Sequence, residues 1–125
     1  MNYSIAQTPK ILGFVPVRMA ASRFPGKPLH NIVGRPLLEH CYLRARLYDH
    51  WDGLFITTCD DSIRIFAEGK DYPVIMTGDF HTRALDRVAE AVKIYSDVGE
   101  DDIVVCVQGD EPLLGPDMIE AIIQP

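Results

Sequence analysis

Short apolar runs alternate with amphipathic stretches along almost the whole chain. Four runs rich in β-branched and other apolar residues predict buried strands, at residues 11–17, 53–59, 72–77 and 102–108. The stretches between and after them predict helices, at residues 37–48, 62–70, 83–96 and 117–124. Strands that alternate with helices favour a parallel sheet covered on both faces. We therefore predict one three-layer α/β domain over residues 1–125, with the four-stranded sheet forming part of a larger fold.

The predicted helices show apolar faces and end signals. In the first, Leu38, Cys41, Tyr42 and Ala45 share one face. In the third, an i, i+3, i+4 stripe consists of Leu85, Val88, Ala89, Val92 and Tyr95. Residues 60–62, Asp-Asp-Ser, offer an N-cap for the second helix, and Gly69 suits its end.

Charge is distributed unevenly along the chain, whose formal net charge is −6. Residues 1–38 contain five Lys and Arg and no Asp or Glu, whereas all 18 acidic residues come later. Nucleic-acid binding needs a broad basic surface, so this pattern does not favour it. A confined anion site fits the pattern better. A basic surface loop that binds nothing is the alternative.

The basic segment follows the first predicted strand and reads RMAASRFPGKPL, residues 18–29. Arg18, Arg23 and Lys27 can neutralise a polyphosphate, and Gly26 allows its backbone to approach closely. Neither GxxxxGK[ST] nor GxGxxG is present, which argues against a P-loop enzyme and a dinucleotide-binding dehydrogenase. We interpret the segment as a phosphate-binding loop.

A second polar loop, QGDEPLLG, follows the fourth predicted strand at residues 108–115. Asp110 comes directly after the strand, and carboxylate oxygens are ligands that Mg²⁺ prefers. An ordinary turn is the alternative, because Gly, Asp and Pro are common in turns. If the strand order reverses between the first and fourth strands, this loop lies beside the basic one, where ligands bind in open α/β sheets.

Composition and cysteine usage suggest a cytoplasmic protein without membrane contact. No apolar run approaches the roughly 20 residues that span a bilayer, and the N-terminus lacks the pattern of a secretory signal. Cys41, Cys59 and Cys106 are widely spaced and form no CxxC or Cys/His pattern, so we expect reduced structural thiols. At Cys59 we expect a small buried thiol at a strand end.

Four segments together resemble the CMP-Kdo synthetase (3-deoxy-manno-octulosonate cytidylyltransferase) family. PVRMAASRFPGKPL is similar to the family pattern P-A-R-x-x-S-x-R-[LF]-P-G-K-P-L, and VQGDEP to V-Q-G-D-E-P. TCDDSI stands where the family has T-D-x-x-x-I, and MTGDFHTRALDR where it has M-T-x-x-x-H-x-S-G-T-[DE]-R. The resemblance covers about residues 10–125 and only the N-terminal half of the family's length. It implies the Rossmann-like, GT-A-like fold of nucleotide-diphospho-sugar transferases.

The resemblance also implies a reaction and roles for residues. The anomeric hydroxyl of Kdo attacks the α-phosphorus of CTP, pyrophosphate leaves, and CMP-Kdo forms for lipopolysaccharide synthesis. Arg18, Arg23 and Lys27 then grip the triphosphate beside Gly26, and Asp110 binds Mg²⁺. Gln108, Pro16, Val17 and Arg83 complete the expected substrate-binding set, with Arg18, Lys27 and Asp110 as catalytic residues. Full-length members imply a homodimer, and this chain is expected to bind CTP but not to turn it over alone.

The chain departs from the family pattern at two places. The loop serine falls on Ala21, and S-G-T falls on residues 83–85, Arg-Ala-Leu. His81, Asp86 and Arg87 match the pattern. His81 can be a substrate contact or a capping or packing residue, and Asp86 and Arg87 can form a local surface pair.

Two other functions remain open from the sequence. One is a cytidylyltransferase for a related sugar, such as an amino-Kdo, a sialic-acid-like or a spore-coat sugar, which the departures at residues 83–85 motivate. The other is a nucleotide-binding module without catalysis.

Overall fold

The structure, a computed structural model, describes residues 9–19, 26–81, 83–95 and 98–107. Its elements in chain order are β1 (Ile11–Pro16), a 3-10 turn (Lys27–Leu29), β2 (Asn31–Ile32), β3 (Arg35–Pro36), α1 (Leu37–Arg46), β4 (Gly53–Thr58), α2 (Asp61–Gly69), β5 (Val74–Met76), α3 (Ala84–Tyr95) and β6 (Ile103–Cys106). The four predicted strands and the first three predicted helices are confirmed, with ends that differ by a few residues. The helix predicted at 117–124 lies outside the described residues.

β1 lies between β4 and β6 in a four-stranded parallel sheet of order β5-β4-β1-β6. Phe14 of β1 pairs with Phe55 on one side and with Cys106 on the other. Strands β4 and β5 extend the sheet on one side of β1, and β6 then pairs with the other side of β1. The strand order therefore reverses, which was raised from the sequence only as a condition. The carboxyl ends of β1 and β6 are neighbours at one edge.

Two clusters of buried apolar side chains cover the two faces of the sheet. On one face, Val15 and Ile56 pack with side chains of α1 and α2, among them Leu38 and Ile63. On the other face, Leu12 and Phe14 pack with Val88 and Ala91 of α3. The three-layer α/β prediction is thereby confirmed, and all four residues predicted for the apolar face of α1 are buried.

The apolar face of α3 differs from the predicted stripe. Val88 and Ala91 are buried, but Leu85 is 67% exposed and Ala89 is exposed. The inward face is centred on residues 88 and 91, and it includes the charged residue Arg87, which is only 2% exposed. Leu85 therefore lies outside the contact with the sheet.

The loop predicted between residues 18 and 36 contains a short hairpin. β2 and β3 pair antiparallel around a two-residue turn, Val33-Gly34, in which both residues have positive φ, 51° and 84°. This combination is typical of tight hairpin turns. Valine is a poor residue for that conformation, so no clear hairpin signal is present in the sequence.

Carboxylates fasten the amino end of β1 to both neighbouring strands. Asp52, just before β4, accepts a hydrogen bond from the Ile11 N–H at 2.8 Å and donates its own N–H to the Ile11 carbonyl. Asp102, just before β6, accepts from the N–H groups of Lys10 and Gly99, both at 2.8 Å. These two bonds are the main reason that the pKa of Asp102 is lower than usual.

None of the three cysteines forms a disulfide, as expected. Cys59 follows β4 and is half-buried rather than fully buried. Within the described ranges, every helix is too short or too polar to cross a membrane.

Candidate functional site at the carboxyl edge of the sheet

The basic loop leaves β1 at the carboxyl edge, and its two described ends are joined. The Gly26 N–H donates to the Met19 carbonyl at 2.9 Å. Gly26 has a φ of 84°, a conformation that favours glycine, and it precedes the 3-10 turn that begins at Lys27. The predicted conformational role of Gly26 is consistent with this geometry, and Lys27 is held in a defined turn beside it.

Asp60 fixes the beginning of the same loop. It occupies the predicted N-cap position of α2, but its side chain makes no capping bond to that helix. Instead, Oδ2 accepts a hydrogen bond from the Met19 N–H at 2.8 Å. The N-cap interpretation was thus right about position and wrong about the partner, because the loop from β1 reaches the carboxylate.

A cavity of about 120 Å³ opens beside this loop, on the α3 side of the sheet edge. One wall consists of residues 16–18, Pro-Val-Arg, and the other of His81, Arg83, Ala84 and Arg87. Four of the residues predicted to bind substrate, Pro16, Val17, Arg18 and Arg83, therefore line one space. Gly26 and Lys27 are not among its lining residues.

Arg18 lines the cavity with part of its guanidinium unused. Its Nη1 donates to the His81 carbonyl at 2.8 Å. Its Nε is buried and has no hydrogen-bond partner among the described residues. A buried donor without a partner is costly, so this N–H favours an acceptor supplied by a ligand.

Arg87 is a second buried guanidinium at the same cavity. Its Nη1 donates to Thr77 Oγ1 at 2.5 Å and to the Gly78 carbonyl at 3.0 Å, whereas Nη2 is buried and has no partner in the described part of the chain. The interpretation of Arg87 as part of a surface pair with Asp86 is therefore wrong. Asp86 pairs with Arg83 instead, at 3.2 Å on the surface of α3.

His81 lines the same cavity as the two arginines and is almost fully buried. Its Nε2 lies 2.5 Å from Glu90 Oε1. The centroids of the His81 and Phe80 rings are 4.2 Å apart. The hydrogen bond from His81, followed by one from the Gly78 N–H, keeps the pKa of Glu90 below its usual value. His81 thus combines the packing role with a place in the cavity wall.

Several predicted site residues lie outside the described residues: Arg23, Gln108 and Asp110. Within the described part of the chain, no group of three or more His, Cys, Asp and Glu could hold a metal ion. β6 nevertheless leads toward the correct edge, since the Val107 N–H donates to the Phe14 carbonyl of β1 at 2.8 Å.

Arg87 lines the cavity, and Asp60 and Glu90 bind residues next to it, but none of the three was assigned to the site from the sequence. For Arg87 a signal existed, because it lies on the face of α3 that also presents Val88 and Ala91 to the sheet. A charged residue on an apolar helix face needs a specific partner or ligand. The contacts of Asp60 and Glu90 depend on segments distant in sequence, and no local pattern reveals them.

Comparisons with known proteins agree with this architecture. Residues 12–125 match the family model described as cytidylyltransferase. A 3-deoxy-manno-octulosonate cytidylyltransferase of Nitratidesulfovibrio vulgaris is 42% identical over 90% of this chain and 44% of its own length. An 8-amino-3,8-dideoxy-manno-octulosonate cytidylyltransferase of a Shewanella species is 39% identical over 90% of this chain and 46% of its own length.

Solved structures show the same relation. A CMP:2-keto-3-deoxy-manno-octonic acid synthetase complexed with CTP superposes with a TM-score of 0.83 at 33% identity, over 92% of this chain and 46% of that one. A 4-diphosphocytidyl-2C-methyl-D-erythritol synthase, at 14% identity and a TM-score of 0.75, shares the fold. The chain spans less than half the length of these curated relatives, as the sequence resemblance implied.

Proposed function

The chain belongs to the cytidylyltransferase family, and on that premise we propose that it forms the CTP-binding half of an enzyme that makes CMP-Kdo. The enzyme transfers CMP from CTP to the anomeric hydroxyl of 3-deoxy-manno-octulosonate and releases pyrophosphate. We propose that this product serves lipopolysaccharide synthesis and that the enzyme acts in the cytoplasm.

The observation that supports this proposal most strongly is the pair of unpartnered guanidinium N–H groups at one cavity, on Arg18 and Arg87. A cavity of about 120 Å³ is smaller than a typical site for a whole ligand, so it accepts part of a nucleotide. Cytosine offers two adjacent acceptors on its ring edge, O2 and N3, which suit two N–H donors. Uracil carries a hydrogen on N3, so it offers only one acceptor there. We infer that the cavity takes the base of CTP and disfavours UTP.

The basic loop is proposed to hold the triphosphate. Arg18 belongs to both the loop and the cavity, and the tie between Met19 and Gly26 keeps Lys27 near the same edge. With Arg23, these cations would offset the charge of the phosphate oxygens. Positioning and charge stabilisation of this kind supply most of the catalysis in phosphoryl transfer.

Mg²⁺ is proposed as the cofactor, with Asp110 as its carboxylate ligand and Gln108 as a neighbouring substrate contact. This assignment rests on the sequence after β6 and on the position of β6 beside β1. When bound, the ion would neutralise charge on the phosphate oxygens and on the leaving pyrophosphate.

The proposed step is a displacement at the α-phosphorus. The sugar hydroxyl oxygen forms a bond to the α-phosphorus and loses its proton to water, while the bond from the α-phosphorus to the β-phosphate oxygen breaks. The leaving pyrophosphate takes the electron pair of that bond. Arg18 and Lys27 are proposed to stabilise the charge that develops in this step.

The sugar acceptor has two candidates, because the relatives named for Kdo and for its 8-amino analogue are similarly close, at 42% and 39% identity. We propose Kdo as the substrate and a homodimer as the assembly of the full-length gene product. Pyrophosphate release by that product with Kdo, 8-amino-Kdo and a sialic acid distinguishes the acceptors. A protein that ignores Kdo and uses the amino sugar would contradict the first choice.

Calorimetric titration of the 125-residue chain with CTP and Mg²⁺ tests the nucleotide site. We expect CTP to bind and UTP to bind more weakly. Lys27→Ala should weaken CTP binding roughly tenfold, the scale of one lost charge-assisted hydrogen bond. Asp110→Ala should weaken it only when Mg²⁺ is present.

Lys93→Ala removes an exposed cation on the far part of α3 and serves as the control for Lys27→Ala. If the wild-type chain binds no CTP, the nucleotide proposal is wrong. CTP binding without any transfer by the full-length product would favour the non-catalytic module.

A further inference from the structure

The segment between β5 and α3, residues 77–81, holds both cavity arginines. Arg18 Nη1 donates to the carbonyl of His81, and Arg87 Nη1 donates to the carbonyl of Gly78 and to Thr77 Oγ1. The unpartnered atoms, Arg18 Nε and Arg87 Nη2, belong to these same two planar groups. Because a guanidinium is rigid, the position of the segment sets the direction of the unused N–H donors.

Glu90 of α3 binds the same segment. Its Oε1 accepts the Gly78 N–H at 3.0 Å and lies 2.5 Å from His81 Nε2. Gly78 and His81 are the residues whose carbonyls bind the arginines. One carboxylate oxygen therefore binds both of the residues whose carbonyls accept from the guanidinium groups.

The charge of Glu90 strengthens both contacts. Hydrogen bonds from His81 and Gly78 hold its pKa below the usual value, and the guanidinium of Arg87 on the same helix acts in the same direction. An ionised carboxylate is the stronger acceptor, and it requires His81 Nε2 to be the donor. Glu90 lies three residues after Arg87, one turn further along α3.

We propose that Glu90 is a positioning residue for nucleotide recognition: through Gly78 and His81 it holds Arg18 and Arg87 so that their unused N–H groups meet the base. The proposal rests on the nucleotide site described above. Glu90 itself is not among the residues that line the cavity, so it acts through the residues that it binds.

The test compares Glu90→Ala with Glu90→Gln by calorimetric titration of the 125-residue chain with CTP and with UTP. We expect Glu90→Ala to weaken CTP binding roughly tenfold, since it removes two charge-assisted contacts that fix the donors. We expect the preference for CTP over UTP to decrease with it. Glu90→Gln keeps an acceptor oxygen and should restore part of both.

A purely structural role would give a different result. Partial misfolding lowers the number of binding sites measured per chain, whereas misplaced donors raise the dissociation constant and leave that number unchanged. Titrations are made at a temperature where the urea unfolding curve shows each variant to be folded. Glu68→Ala is the matched control, because Glu68 forms an exposed pair with Arg64 on α2.

The outcomes separate the two proposals. If wild type binds CTP and folded Glu90→Ala binds it with the same affinity and base preference, the positioning role is wrong. If wild type does not bind CTP, the nucleotide site is wrong and the positioning role is wrong with it. If Glu90→Ala does not fold, Glu90→Gln decides: weaker binding with an unchanged number of sites supports the role, and unchanged binding overturns it.

Discussion

Asp60 Oδ2 accepts a hydrogen bond from the backbone N–H of Met19 at 2.8 Å, and this contact joins the segments that follow β4 and β1. The backbone N–H of Asp60 donates to Thr58 Oγ1 at 3.1 Å. This bond ties the backbone of Asp60 to the last residue of β4. The start of the basic loop depends on a side chain from the neighbouring strand.

We expect Asp60→Ala to weaken CTP binding roughly fivefold, because about 1 kcal/mol of hydrogen bonding no longer holds the loop in its binding position. Asp61→Ala is the control, because Asp61 is exposed and pairs only with Arg64 in the same helix. Calorimetric titration measures both. Equal affinities for the two variants would contradict the role of Asp60.

The turn between β2 and β3 offers a stabilising substitution. Val33 has a φ of 51° and is 93% exposed, so it adopts a left-handed conformation without burying its side chain. Val33→Asn should raise the free energy of unfolding by about 1 kcal/mol, because asparagine tolerates this conformation. Urea unfolding measures the change. Ile32→Asn, one residue earlier in β2, should give no gain, and a gain of the same size would contradict the conformational explanation.

Tyr72 predicts a loss of stability at alkaline pH. Its hydroxyl donates to Glu39 at 2.5 Å, and burial, followed by this bond, raises the pKa of Tyr72 to about 12. An unfolded tyrosine ionises near pH 10. The contribution of Tyr72 is therefore fully present below about pH 10 and is lost as the pH rises toward about 12.

Urea unfolding across this range, with tyrosinate absorbance as the titration signal, measures the effect of Tyr72. Tyr72→Phe should reduce the alkaline decline. It should also lower stability near neutral pH by about 1–3 kcal/mol, because the buried Glu39 loses a donor. An alkaline decline that is identical in Tyr72→Phe would show that other groups cause it.

Asp102 predicts sensitivity at the acid end of the pH range. Its pKa is lowered by hydrogen bonds from the N–H groups of Gly99 and Lys10, so its contribution to stability is present above its unfolded pKa of about 3.9 and is lost as the pH falls through its folded pKa. Asp102→Ala should be less stable than wild type near neutral pH, and the difference should shrink in acid. Asp101→Ala, an exposed neighbour, should not show this pattern.

The sequence predicted the layers better than it predicted the site, and it raised the reversal of strand order only as a condition. The strands and the apolar face of α1 follow from local apolar patterns. The residues of these patterns are buried in the core around Phe14 and Leu38. The hairpin at Val33 was not predicted because valine is a poor residue for the conformation that this turn requires. The site depends on contacts between distant segments, such as Arg18 with His81 and Asp60 with Met19, which no local pattern encodes.

Arg87 shows most clearly why neighbouring residues in the sequence did not predict the contacts of the site. Its neighbour Asp86 suggested a surface pair, yet successive residues of a helix point about 100° apart. Arg87 therefore faces the sheet and Asp86 faces solvent, where it finds Arg83. Adjacent charges in a sequence are weak evidence for a contact when the segment is helical.

The two ends of β1 have different roles. Its amino end is held by Asp52 and Asp102, and its carboxyl end leads to Arg18 and the cavity. The rigid stretch between them, with Leu12 and Phe14 fully buried, is six residues long. Substitutions at the first end should therefore alter how much folded protein a cell contains, and those at the second how well each folded molecule works. Selection can therefore change residues at the cavity while the hydrogen bonds that anchor the strand stay the same.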